Sequence, residues 1–156
     1  MKRQIAKGLA MLMVTLALAA VSAAVANGQA RAHFVAQVPF EFMVGDKTLS
    51  AGEYLVGAID RSGETIAILN KTGDGAIRLS APRDRRGEEK SAKLVFHRYG
   101  STYFLSQVWM YGEDRGRELA KSKQESARER ELKTLAAYHG DLKPVYEIVE
   151  VVALAR

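Results

Sequence analysis

The stretch AKLVFHRYGSTYFLSQVWMY, residues 92–111, decides the fold. Two runs rich in Val, Leu, Phe and Tyr flank Gly100-Ser101. A glycine at the first central position suits a two-residue type II′ turn, the connection that matches strand twist in a hairpin. That turn sets Phe96 opposite Leu105, Arg98 opposite Tyr103, Leu94 opposite Gln107 and Ala92 opposite Trp109 on one face. The other face receives His97 with Phe104, Tyr99 with Thr102, Val95 with Ser106 and Lys93 with Val108. The first face is apolar enough for a main core, with Phe96, Leu105 and Trp109 buried together. The second is mixed, and neither is plainly wet. Such a hairpin lies inside a sandwich or barrel, or has a helix laid across it.

The chain before the hairpin is also β-like. Phe34, Ala36, Val38, Phe40, Phe42 and Val44 alternate with other residues, the period of a strand with one buried face. Pro39 lacks an amide hydrogen and marks an edge or a break into two short strands. Turn signals at Gly45-Asp46, 50–52, 60–63 and 71–75 separate further strand candidates at 47–49, 53–59, 64–70 and 76–81. Residues 82–91 are a polar loop whose charges nearly cancel.

After the hairpin the composition turns to Arg, Glu, Lys, Leu and Ala, which predicts a helix over about 117–139. Leu132, Leu135, Ala136 and His139 form its apolar stripe, so the helix is expected to dock by its C-terminal half while 117–125 projects. Gly140 and Pro144 stop it. The Val-rich run at about 145–154 predicts a final strand paired inside the sheet. The fold expected is mainly β: an antiparallel β-sandwich or small closed barrel of about seven to nine strands, with one helix before the last strand.

Residues 1–26 distort the totals. Lys2, Arg3 and Lys7 precede an uncharged, Ala- and Leu-rich segment ending in Ala24-Val25-Ala26, the order of a secretory signal peptide. Removing it leaves a single domain, residues 27–156, with 20 basic and 18 acidic side chains and a net charge of +2. That balance is no nucleic-acid footprint. The expected location is periplasmic or secreted, with cleavage near Ala26 and no stable membrane span afterwards. Zero cysteines exclude a thiol nucleophile and a cysteine zinc site.

Catalytic signatures are missing. His33, His97 and His139 show no metal-ligand spacing, and there is no GxSxG elbow, P-loop or GxGxxG. No catalytic residue, metal or cofactor is assigned, and the protein is not read as an enzyme. Aromatic residues crowd the hairpin, which makes His97, Tyr99 and Phe104 the candidate ligand-binding residues, against the commoner use of such rings as core. The leading functional reading is an exported non-catalytic binding or cell-envelope-associated β domain. The alternative is a small barrel carrying an apolar ligand, and a hydrolase comes third. The partner is accordingly an envelope component or a small apolar ligand.

Val38-Pro39-Phe40-Glu41-Phe42-Met43-Val44-Gly45 and Leu49-Ser50-Ala51-Gly52-Glu53-Tyr54 are followed by Lys93-Leu94-Val95-Phe96-His97-Arg98-Tyr99-Gly100 and Gly116-Arg117-Glu118-Leu119. On these motifs most of residues 34–135 resembles an uncharacterised family of short exported bacterial proteins. The resemblance implies export and implies no activity, ligand or site residue.

Overall fold

Alternating apolar residues become strands almost wherever the sequence presents them. The computed structural model describes residues 33–84, 91–139 and 144–154. The signal segment, most of the polar loop and Gly140 lie outside the described residues. Among the described residues, ten strands and one helix run in the order β1 (His33–Val38), β2 (Phe42–Val44), β3 (Lys47–Leu49), β4 (Gly52–Ala58), β5 (Thr65–Asn70), β6 (Gly75–Asp84), β7 (Lys93–Tyr99), β8 (Thr102–Trp109), β9 (Arg115–Leu119), α1 (Lys123–His139) and β10 (Glu147–Val152). Among the described residues, no helix is long and apolar enough to cross a membrane.

The strands form one connected, mixed sheet. β1, β4, β5 and β6 pair in that order, all antiparallel. β6 is long enough to serve two neighbours in succession: residues 75–79 pair with β5 and 80–84 with β9. β9 leads to β8, β8 to β7, and β7 to β10. Pro39 ends β1, and β2 then meets β8 in a parallel bridge, Met43 opposite Phe104. The sheet is not closed, so a closed barrel is not what forms. β10 has a ladder with β7 alone and meets β1 through the backbone bond from Leu154 N to Val35 O, 2.8 Å. The last strand is therefore an edge strand, against the expectation from its hydrophobicity.

The hairpin turns at Gly100, whose φ of 65° suits the type II′ geometry. The expected pairing holds from Tyr99–Thr102 to Phe96–Leu105 and then slips by one residue. A β-bulge gives β8 one extra residue, Ser106, so Leu94 faces Val108 and Lys93 faces Trp109. The slip has a hydrophobic cause. An unbroken register would set Leu94 against Gln107, whereas the bulge puts Leu105 and Val108 both into the main core. Trp109 is buried, but on the opposite face from Phe96 and Leu105. There it lies across Gly116, where an added Cβ would run into the indole ring.

One core gathers side chains from every part of the sheet, including Val38, Phe42, Tyr54, Val56, Ile66, Ile68, Leu94, Phe96 and Val108. The rings of Phe40 and Phe42 meet Phe96 edge-on at 5.2 and 5.4 Å. Val149 and Val151 of β10 pack against the same core.

Two boundaries differ from the sequence reading. Residues 115–119 are strand, held between β6 and β8, and residues 82–84 of the expected loop pair with them. The helix starts at Lys123, where Ser122 caps it by accepting the Glu125 amide at 3.0 Å. The docking is reversed as well. Ser122 and Glu125 are buried, Leu132 is half-buried, and Leu135 is 51% exposed. The first turn packs because Glu125 has polar partners waiting on the sheet. Amide exchange should accordingly be slower at 125–129 than at 133–137, because opening the first turn also breaks the sheet contact. The reverse order in an exchange experiment would restore the projecting N-terminal half.

Candidate functional site

The mixed face of the β7–β8 hairpin holds the main polar cluster. Alternation along β7 puts His97 and Tyr99 on that face, beside Phe104 of β8 and Met43 of β2. Leu132 of α1 and the segment Val145-Tyr146 pack over them. His97, Tyr99 and Phe104 are thus brought together as the sequence suggested, but as a buried floor: Tyr99 is 0% and Phe104 3% exposed.

Glu125 is the residue that sequence reasoning missed. Its Oε1 lies 2.9 Å from His97 Nδ1 and accepts a bond from the Tyr99 hydroxyl at 3.3 Å. A phenol hydroxyl donates and a carboxylate oxygen accepts, so Tyr99 is the donor to Glu125. Tyr99 is fixed in that role. Burial, then the charges of Glu125 and Glu129, hold its phenol pKa well above the ordinary value. The local signal was Ser122-Lys123-Gln124-Glu125, a capping-box spacing that marks the helix start. Here the Glu side chain turns to the sheet, with the positive end of the helix dipole behind it.

Tyr146 closes the cluster, its ring 4.1 Å from His97 and 5.5 Å from Tyr99. Lys121 sits over Tyr146 at 5.5 Å and bonds Glu129 at 2.6 Å, and Lys133 bonds Glu129 at 2.8 Å. Burial alone would lower the Lys121 pKa, but the Glu129 bond and the charges of Glu129 and Glu125 outweigh it and hold it above normal. Bonds to Lys121 and Lys133 hold the Glu129 carboxyl below its usual range.

A carboxyl with a depressed folded pKa stabilises the fold above its unfolded value of about 4.3 and loses that contribution as pH falls through the folded value. Glu129→Gln should therefore cost about 1 kcal/mol at neutral pH, given its part-exposed partners. The gap to the parent protein should close below about pH 4. Urea unfolding at several pH values checks this, and a gap independent of pH would assign the loss to packing.

The cluster is poorly placed for chemistry. His97 and Glu125 form an acid–base couple, but both are buried, and Ser122 Oγ is engaged in capping the helix. His33 stands apart on β1, and the His139 side chain is outside the described residues. Among the described residues, no three His, Asp or Glu side chains are grouped to hold a metal. An open hollow of about 210 Å³ lies beside the cluster, lined by Arg98, Gly100 and residues 144–147. Its charges are already paired: Arg98 bonds Glu147 at 3.1 Å and the Gly100 carbonyl at 2.8 Å. The Arg98 guanidinium also lies 5.5 Å from the Tyr103 ring, the cross-strand pair expected from the sequence.

The outer face of β1, β4, β5 and β6 differs in kind. Residues whose neighbours point into the core leave Val35, Leu55 and Leu69 in one cross-strand row. His33, Gly57, Ala67 and Ile77 form the next row, and Thr65 and Leu79 belong to the third. Leu79 is 73% and Ile77 56% exposed, values far outside those of a covered sheet. Leu154 is tied to the β1 edge of this face by its backbone bond to Val35. The charges at the patch ends are paired within the chain, Glu53 with Lys71 and Arg83 with Glu118.

Comparison with known proteins finds no matching family model, no matching curated protein and no matching solved structure.

Proposed function

We propose that this chain is an exported, non-catalytic domain that works by binding an apolar surface, with the outer face of β1, β4, β5 and β6 as its contact area. One observation carries the reading: the exposed aliphatic rows of that face, with Ile77 and Leu79 standing out of it. Contiguous apolar surface of this kind marks interaction sites on folded proteins. Export rests on the charged start, apolar segment and small-residue end of residues 1–26. The buried His97–Glu125 couple supports the non-catalytic part, since it holds the helix to the sheet. The filled core argues against carriage of a ligand inside the sheet.

An apolar fluorescent dye tests this in dilute solution. The double variant Leu55→Lys, Leu79→Lys should lose most dye binding, and His97→Gln should retain it. Loss in His97→Gln with retention in the double variant would move the binding site to the hairpin cluster and overturn the proposal.

A further inference from the structure

We infer that the free edge of β10 takes an extended peptide segment of a partner protein as an added strand, aliphatic on both faces and flanked by a basic residue. This site is separate from the outer face of β1, β4, β5 and β6.

Backbone geometry identifies the edge. Ala153 N donates to Ala92 O at 2.9 Å and continues the β7 ladder, so residues 149, 151 and 153 turn their backbone groups toward β7. Ile148, Glu150 and Val152 turn theirs the other way. Leu154 fits the same alternation, since its amide points out to Val35 O. Beyond that one bond, no strand ladders with this side of β10 among the described residues.

The reason β1 does not zip onto it lies in the sequence. Successive antiparallel pairings leave β1 and β10 antiparallel to each other. Extending the Leu154–Val35 contact would set Val152 opposite Gln37 and Glu150 opposite Pro39. Pro39 has no amide hydrogen to give the Glu150 carbonyl. The chain then leaves to pair β2 with β8. Four core side chains of these flanking segments, Phe34, Phe40, Val149 and Val151, are only partly buried.

Proteins protect exposed sheet edges with short strands, prolines, lysines or bulges. β3, at another end of the sheet, is three residues long and carries Lys47, and β1 is followed by Pro39. β10 has none of these devices. Its six residues include no proline or lysine and keep one register with β7 throughout. A row of outward amides and carbonyls is satisfied by extended backbone, so the occupant is a strand. Side chains then select its sequence. An added strand alternates between Val149 and Val151 on the core side and Ile148 and Val152, 65% and 56% exposed, on the other. Both of its faces therefore meet aliphatic groups. The charges on the flanking segments are acidic: Glu147 and Glu150 on β10, and Glu41 beyond Pro39. Glu147 and Glu150 are paired with Arg98 and Lys93, whereas Glu41 is exposed and has no ion-pair partner among the described residues. A basic flank on the peptide answers it.

The probe is a short synthetic peptide alternating valine and threonine between terminal lysines, titrated into the exported protein. Amide exchange should slow at Ile148, Glu150 and Val152 and stay unchanged at Val149 and Val151, which already bond β7. Glu150→Pro removes the central outward amide and leaves the β7 ladder its donors, so it should weaken peptide binding at least tenfold. Glu150→Gln keeps the amide and should bind within about threefold of the parent, as should Leu79→Lys on the outer face. If Glu150→Pro does not fold, the exchange pattern of the parent decides alone. Peptide binding without slowed exchange at the three outward amides, or binding lost in Leu79→Lys, would place the peptide elsewhere and overturn the inference. Absence of binding at millimolar peptide would overturn it too. Slowed exchange at the same amides in the protein alone, growing with its concentration, would assign the edge to a second copy and overturn the choice of partner. The dye experiment with Leu55→Lys, Leu79→Lys stands or falls independently of all these outcomes.

Discussion

Phe96→Ala should lose about 3–5 kcal/mol of stability, the range for removing a large buried ring. Phe96 has no exposed surface, and both faces of its environment are aromatic, with Phe40 and Phe42 edge-on to it. The rigid strands on either side limit collapse into the space left behind. His97→Ala should cost less, about 1–3 kcal/mol, because its main effect is to leave Glu125 with one hydrogen-bond partner in place of two. Urea unfolding of the two variants, with the slope held common, measures the difference. Equal losses would mean that the hairpin faces are assigned the wrong way round.

Glu125→Ala should be the most damaging change on the opposite face, at about 2–4 kcal/mol. It removes the shared partner of two buried polar groups at once, His97 Nδ1 and the Tyr99 hydroxyl. Glu125→Gln keeps an oxygen that can accept both bonds and should recover more than half of the loss. The pair of variants separates hydrogen bonding from bulk, since Gln and Glu fill nearly the same volume. Far-UV circular dichroism at intermediate urea should show α1 melting ahead of the sheet in Glu125→Ala. A cost equal in both variants would assign the effect to the charge.

Much of the fold was legible because strands announce themselves by alternation. Phe34 to Val44 alternates, Pro39 interrupts, and the strand breaks there. The Gly100-Ser101 turn was read from one glycine. What the sequence hid are features that depend on chain segments far apart. The bulge at Ser106 is one: nothing in residues 104–107 marks it, and only the pull of Leu105 and Val108 toward one core requires it. The strand Arg115–Leu119 is another. Arg117 and Glu118 suit a helix by propensity, but β6 and β8 leave a gap that only an extended segment fills. The helix was placed by its apolar stripe, which put Leu135 inward. A carboxyl group with two polar partners within reach proved a stronger anchor than an isolated leucine. Of the candidate site, His97, Tyr99 and Phe104 could be grouped from hairpin pairing alone. Glu125 and Tyr146 could not, since they reach the same spot from 28 and 49 residues further along the chain.

The bond from Leu154 N to Val35 O has a consequence for how the molecule is made. It joins β1 to a residue synthesised 119 positions later. Synthesis is vectorial, so β1 can find β4 early, yet this bond at its other edge waits until residue 154 has emerged. Contacts of such sequence separation slow folding, because a long loop must close before any energy is returned. Until then the β1 edge lacks even that bond, and its amides and carbonyls stand beside an aliphatic face, the combination that invites another nascent chain. The domain is thus most vulnerable before β10 is made, and holding it unfolded until that strand is available would be the safer route.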